Sequence, residues 1–269
     1  HEAIRLTCRW AVCGDAAAAT AAGSYLEAAF QGDMAVLHFD ITYSVDPYPH
    51  VWIGVDDGGV VEAPLDRYLR VRAQGPGPHM VRVIYKGAVE MHHRWRHPLV
   101  GKIAFQGLVA DAPGRLEPDN RPAIEFVGDS ITEGVLIDAG YRTHANDQFD
   151  RPCQDDVTAG YAWLTAQALG LRPIMMGYGA VGATRPGCGG VPKAAEAYPY
   201  CFENAPIYHS ADYIVVNHGT NDRSFSPEVF RKGYRELLNV ILEKNPQSQL
   251  AVMPPFCGAF PQEVKETAA

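Results

Sequence analysis

Hydrophobic and polar positions alternate in short runs over the first part of the chain, and then the period changes. "SYLEAAFQG" (24–32), "MAVLHFDI" (34–41), "HVWIGVDDG" (50–58), "YLRVRAQG" (68–75), "HMVRVIYKG" (79–87) and "GKIAFQGLVAD" (101–111) are strand-length runs, each ended by a glycine, an acid or a proline-rich turn such as "GPGP" at 75–78. Regularly spaced strands with turn residues between them predict a β-sandwich of jelly-roll type over residues 1–115. "DAPGRLEPDNRP" (111–122) is polar and proline-rich, and it reads as the link to a second domain over residues 123–269. There "AIEFVGDS" (123–130), "RPIMMGYG" (172–179), "ADYIVVNHG" (211–219) and "SQLAVMP" (248–254) are continuous apolar runs, as for strands buried on both faces of a parallel sheet. Helical spacing separates them. "TAGYAWLTAQALG" (158–170) predicts a helix with Gly170 at C′. "SPEVFRKGYRELLNVILEKNP" (226–246) predicts another, with Ser226 as N-cap, Pro227 at N1, and Val229, Leu237, Leu238, Ile241 and Leu242 on its apolar face. "PQEVKETAA" (261–269) reads as the start of a further helix. The expected fold class is therefore α/β: a jelly-roll-like sandwich followed by an α/β/α sheet domain.

Composition adds little to this picture, and charge adds more. The 269 residues are 47% hydrophobic and 20% charged, enough for a sizeable core, and no apolar run approaches the roughly 18 residues of a membrane span. Residues 1–116 carry 12 acidic and 11 basic side chains and residues 117–269 carry 19 and 12, so the net charge of −8 sits almost wholly in the second part. That argues against nucleic acid and polyanionic membranes as partners and permits neutral substrates. The six cysteines form no C-x-x-C pair. Cys153, Cys188 and Cys201 lie in loop-like sequence, either as free thiols or with a disulfide among them. The chain starts at His-Glu-Ala without methionine, which leaves secretion and a cytoplasmic life equally open.

Chemistry in parallel sheets sits at the carboxyl ends of the strands, and three of those ends are unusual here. One is Gly128-Asp129-Ser130. A second is the glycine-rich "MGYGAVGATR" (176–185). The third is "HGTND" (218–222). Gly128-Asp129-Ser130-Ile131 and Gly219-Thr220-Asn221-Asp222 resemble the first and third blocks of the SGNH, or GDSL-type, hydrolases, and the sandwich in front of them resembles the architecture of the family 2 carbohydrate esterases. The resemblance spans residues 123 to about 256 and implies a flavodoxin-like α/β/α domain. It also implies Ser130 as nucleophile and Asn221 as an oxyanion-hole donor. Gly182 matches the second-block glycine that supplies a backbone N–H, with Gly179 as the alternative, because this block lacks its usual Asn and Ser neighbours. Asp129 is read as a turn-stabilising residue.

The implied activity is hydrolysis of O-acetyl or other short acyl esters of carbohydrates through an acyl-serine, without metal or cofactor. A lipase or thioesterase, or an inactive carbohydrate-binding protein, are the alternatives. A serine also needs a base, which family members carry in an Asp-x-x-His block near the C-terminus. No such block follows Asn221. Only His144, His209 and His218 follow Ser130, so the chain is expected to stop short of that block. His218 is read as strand packing and His144 as part of an insertion (139–156) walling the pocket. "HHRWRH" (92–97) invites a metal reading, but strand-like spacing would split His92 from His93 and leave Trp95 on a solvated sheet surface. Trp10, Trp52, Trp95 and Trp163 are read as core residues by default, with sugar stacking as the other role open to them.

Overall fold

The computed structural model describes residues 2–138 and 151–268. Nine antiparallel strands occupy the first 113 residues: β1 (Ile4–Thr7), β2 (Ala11–Cys13), β3 (Ala16–Ala19), β4 (Tyr25–Phe39), β5 (His50–Val55), β6 (Val60–Pro64), β7 (Tyr68–Arg72), β8 (Pro78–Gly87) and β9 (Ile103–Pro113). β4 organises them. Its first half pairs with β1 and β8, and its second half with β7 and β9, so the hydrogen-bonded network folds over at this strand into two facing layers. Leu26, Phe30, Val81, Val83 and Tyr85 from one layer meet Leu37, Phe39, Leu69, Val71 and Phe105 from the other in a closed core. The two runs expected as separate strands at 24–32 and 34–41 are thus one. The glycine that seemed to end the first, Gly32 at φ +98°, lies in a bulge between Gln31 and Ala35 where β4 passes from one layer to the other.

Residues 114–122 form no strand or helix. Beyond them come β10 (Ala123–Gly128), α1 (Ser130–Glu133), α2 (Tyr161–Ala168), β11 (Arg172–Gly177), α3 (Ala194–Ala197), the short pair β12 (Tyr200–Phe202) and β13 (Ala205–Pro206), β14 (Tyr213–Asn217), α4 (Pro227–Lys244), β15 (Gln249–Val252) and α5 (Pro261–Ala268). The parallel sheet has the order β11-β10-β14-β15. α2 begins at Tyr161, three residues later than its sequence pattern, because a 3₁₀ turn at Val157–Ala159 precedes it, and Gly170 follows in the left-handed conformation. α4 is capped by the Ser226 hydroxyl, which accepts the Val229 N–H at 3.4 Å. Its buried face is Phe230, Tyr234, Leu237, Leu238 and Ile241, while the expected face residues Val229 and Leu242 flank that stripe and stand half out in solvent.

The sandwich and the sheet share one apolar cluster. Cys8, Tyr25, Ile84 and Trp95 pack with Phe126, Met175, Tyr178 and Trp163, and the Tyr25 and Trp163 rings meet edge-on at 5.9 Å. A buried ion pair crosses the same boundary: Arg9 Nη2 lies 2.7 Å from Glu125 Oε1, with neither side chain exposed. Nη1 donates to the Tyr198 and Tyr200 carbonyls, and the Tyr198 hydroxyl donates to Glu125 Oε2 at 2.7 Å. Burial by itself would raise the Glu125 carboxyl, but the Arg9 charge and His209 outweigh it and hold it at about 2.

The 92–97 segment departs most from its sequence reading. It is loop rather than strand, and Arg94 and Trp95 are buried at 1% and 6% exposure, because this loop is pressed between the two halves of the molecule. Among the described residues no group of three or more His, Cys, Asp or Glu is placed to hold a metal ion. Cys8, Cys13, Cys188, Cys201 and Cys257 are free thiols.

Candidate active site

The carboxyl ends of β11, β10 and β14 are level. Gly128 lies in register with Gly177 on one side and with Asn217 on the other, so the segments that follow each of them leave the sheet at the same edge. The chain then folds back sharply. A Cβ on Gly128 would run into the Thr132 side chain and stand 3.0 Å from the Asn217 carbonyl, and only glycine lets α1 turn so tightly onto its own strand.

Asp129 is the N-cap of α1, and its Oδ1 accepts the Ile131 N–H at 3.0 Å. Because Asp129 fills that role, the half-buried Ser130 is left at the first helical position, where its hydroxyl makes no hydrogen bond among the described residues. Asn221 joins the other two strand ends to this one. Its Nδ2 donates to the Val181 carbonyl at 2.9 Å and to Asp129 Oδ2 at 3.3 Å. Ser130, Asn221 and the Gly182 loop therefore meet at one place. The orientation of Gly182 is specific: its N–H donates to the Arg185 carbonyl at 3.1 Å, and that of Gly179 to the Glu133 carboxylate.

Sequence reasoning passed over Asp222. Its Oδ2 accepts the Ala183 N–H at 3.0 Å, and its Oδ1 accepts the Thr184 N–H at 2.8 Å and the Thr184 hydroxyl. A Cβ on Gly182 would stand 2.6 Å from Asp222 Oδ1, so glycine is required for the loop to sit against the carboxylate. An acid immediately after Asn221, in a strand-end loop, was the available signal. Burial pushes the Asp129 carboxyl up to about 6, and the Asp222 charge adds to the rise, against the pull of hydrogen bonds from Ile131 and Thr220.

These blocks decide the family. The model described as the GDSL-like lipase/acylhydrolase family matches residues 126–269. The chain belongs to this family. It is a carboxylic ester hydrolase.

Solved structures resemble the whole chain, sandwich included. A family two carbohydrate esterase from Cellvibrio japonicus superposes with a TM-score of 0.79 at 19% identity, over 100% of this chain and 81% of that one. A family two carbohydrate esterase from Clostridium thermocellum, in complex with cellohexaose, gives 0.73 and 21% over 98% and 82%. An acetyl xylan esterase from the rumen bacterium Butyrivibrio proteoclasticus gives 0.77 and 17% over 99% and 82%. At such identities the likeness is one of fold. Comparison with curated protein sequences finds no match.

The histidines are placed as follows. His218 is fully buried, and neither ring nitrogen has a hydrogen-bond partner. Burial pushes it down to about 4, with Asp222 opposing, so the ring is neutral, and it makes no hydrogen bond to Ser130. His209 Nε2 lies 3.1 Å from Glu125 Oε1, back along β10 from its carboxyl end. His144 and most of the 139–156 insertion lie outside the described residues. Trp95 and Trp163 are core residues. Trp10 and Trp52 pack at its margin, their indole N–H groups donating to the Thr7 carbonyl and to Asp156.

Proposed function

We propose that this hydrolase is a serine esterase that removes O-acetyl or other short acyl groups from carbohydrates. The observation that carries the reading is the convergence of a Ser130 hydroxyl that makes no hydrogen bond among the described residues, the Asn221 amide and the Gly182 loop at one sheet edge. Ser130 Oγ attacks the acyl carbonyl carbon while a base takes its proton. The oxygen that becomes negative is met by the Ser130 N–H, and by the Asn221 amide once that oxygen replaces Asp129 Oδ2 or the Val181 carbonyl as acceptor. Gly182 contributes its N–H once that oxygen replaces the Arg185 carbonyl as acceptor. The sugar leaves as its alcohol on protonation, and water then cleaves the acyl-serine by the same route. The base is not the buried His218. His144, or a histidine outside these 269 residues in the Asp-x-x-His arrangement that the family resemblance implies, takes the proton. The carbohydrate leaving group is supported by structural neighbours that share both halves of the chain, one of them described with cellohexaose and one as an acetyl xylan esterase.

The test is acetate release from acetylated xylan and from p-nitrophenyl acetate by the intact protein, beside its Ser130→Ala variant. Release by the wild type and none by the variant is expected, and equal rates would place the nucleophile elsewhere. One observation favours a second reading, a carbohydrate-binding protein without turnover: no described histidine hydrogen-bonds to Ser130. Retardation of the wild type in glucan or xylan affinity gels, with no acetate released, would select it.

A further inference from the structure

Glu133 closes the short helix that Ser130 opens, yet its side chain is 1% exposed and turned inward. Both carboxylate oxygens face the guanidinium of Arg94, Oε1 against Nη1 and Oε2 at 3.4 Å from Nη2, and the carboxylate also accepts the Gly179 N–H. Arg94 comes from the sandwich half, in the loop between β8 and β9. Its own N–H donates to the Gly189 carbonyl at 2.9 Å, and its guanidinium lies over the Tyr178 ring, 5.3 Å from the centroid. The 178–190 loop is thus held at two flanks. Glu133 and Arg94 fix Tyr178, Gly179 and Gly189, while Asp222 fixes Ala183 and Thr184, with Gly182 between the two holds. A buried ion pair is a poor stabiliser compared with apolar side chains of the same volume, because both ions must shed water. It is, however, strongly directional, since a guanidinium and a carboxylate accept one another in one plane.

We propose that Glu133 and Arg94 are positioning residues for the ester hydrolysis, holding the Gly179–Gly182 backbone in register with Ser130, so that a loop of the sandwich forms a working part of the catalytic site. The proposal rests on the serine-esterase reading above. It is separable from it, because loop order can be measured without turnover.

The decisive variant replaces both ions at once, Arg94→Met with Glu133→Leu, since either change made singly to an apolar residue strands a buried charge. The expected double variant melts close to wild type. It loses roughly 10- to 100-fold in kcat on p-nitrophenyl acetate with KM little changed, the scale seen when supporting groups behind a reactive site are removed. Amide exchange over 177–187 accelerates while that of β4 and β8 does not. Arg94→Met with Glu133→Gln, which keeps an acceptor for the Gly179 N–H but no guanidinium over Tyr178, regains only part of either loss. Arg94→Lys, which keeps the charge but not the fork, gives a smaller loss in the same direction if the double variant fails to fold. Wild-type kcat and wild-type exchange in the 177–187 segment, in whichever of these variants folds, would overturn the proposal. So would loosening spread evenly over the sandwich, which would mark the pair as general structure. If the wild type shows no esterase activity, the serine-esterase reading fails, and exchange in 177–187 still decides whether the pair orders the loop.

Discussion

Replacing Asp222 by Asn isolates what the acid after Asn221 contributes. The carboxylate takes two backbone N–H groups and one hydroxyl, with Ala183 on Oδ2 and Thr184 on Oδ1. An asparagine turned so that its carbonyl keeps both Thr184 bonds must present its NH₂ to the Ala183 N–H, donor against donor. One hydrogen bond to a charged acceptor is lost, the remaining ones become neutral, and a buried donor is orphaned, which together cost about 2–4 kcal/mol. For a chain of this length that lowers Tm by about 4–8 °C. A second effect has the opposite sign in pH. The Asp222 charge helps to raise Asp129 to about 6, so removing it lets Asp129 ionise at lower pH. Since the ionised Asp129 is the acceptor for the Asn221 amide, the acid limb of the kcat profile should move down with it. Thermal unfolding followed by near-UV circular dichroism, and kcat on p-nitrophenyl acetate across pH 4–8, check the two effects separately. A variant that melts with the wild type and keeps its acid limb would refute the assignment of Asp222 as the brace of the glycine loop.

Asn221→Ala should lower kcat ~10²–10³-fold, as for other single oxyanion donors, with acetate release as the measure. Arg9→Ala takes the guanidinium from a buried, charged Glu125 and leaves it only the Tyr198 hydroxyl and His209, and should cost about 3–5 kcal/mol in urea unfolding. Because Glu125 is held at about 2, its stabilising contribution is present above its unfolded value near 4.5 and is lost as pH falls from there toward 2. Asp155 behaves in reverse. Burial raises it to about 7, so its stabilising contribution is present below its unfolded value of 3.8 and is lost as pH rises through 7, and the fall in Tm between pH 5 and 8 should be smaller in Asp155→Asn. His218→Leu removes two unpartnered ring nitrogens from a buried site and should melt no lower than wild type while keeping its esterase rate. Loss of that rate would make His218 the base.

The elements and the blocks were legible in the sequence for one physical reason: each depends on local pattern. An apolar run that breaks at Gly128 must be a strand ending, and Asp129 beside the turn is a capping residue whatever surrounds it. The sandwich was legible in its strands but not in their joining, because a glycine that ends one strand and a glycine that bulges another look alike until the partner strands are known. The 92–97 loop was misread for the same kind of reason. Arg94 and Trp95 look solvated unless one knows that Glu133, 39 residues later, waits on the other side. Periodicity carries no information about which way an N–H points. The Gly182 N–H turned toward Arg185 could come only from coordinates.

The apolar cluster that runs from Cys8, Tyr25 and Ile84 into Phe126, Met175 and Trp163 bears on how such a protein could be rebuilt or recombined. A sandwich domain joined by a flexible tether can be cut off, exchanged or moved to another enzyme as a cassette. This one cannot, because cutting at residues 114–122 would expose both faces of a shared interior and strand Glu125 without Arg9. Chimeras should therefore express as soluble protein only when the donor sandwich brings matching residues at positions 8, 9, 25, 84 and 94–95. Inheritance of the two halves as a single piece is what such an interface enforces.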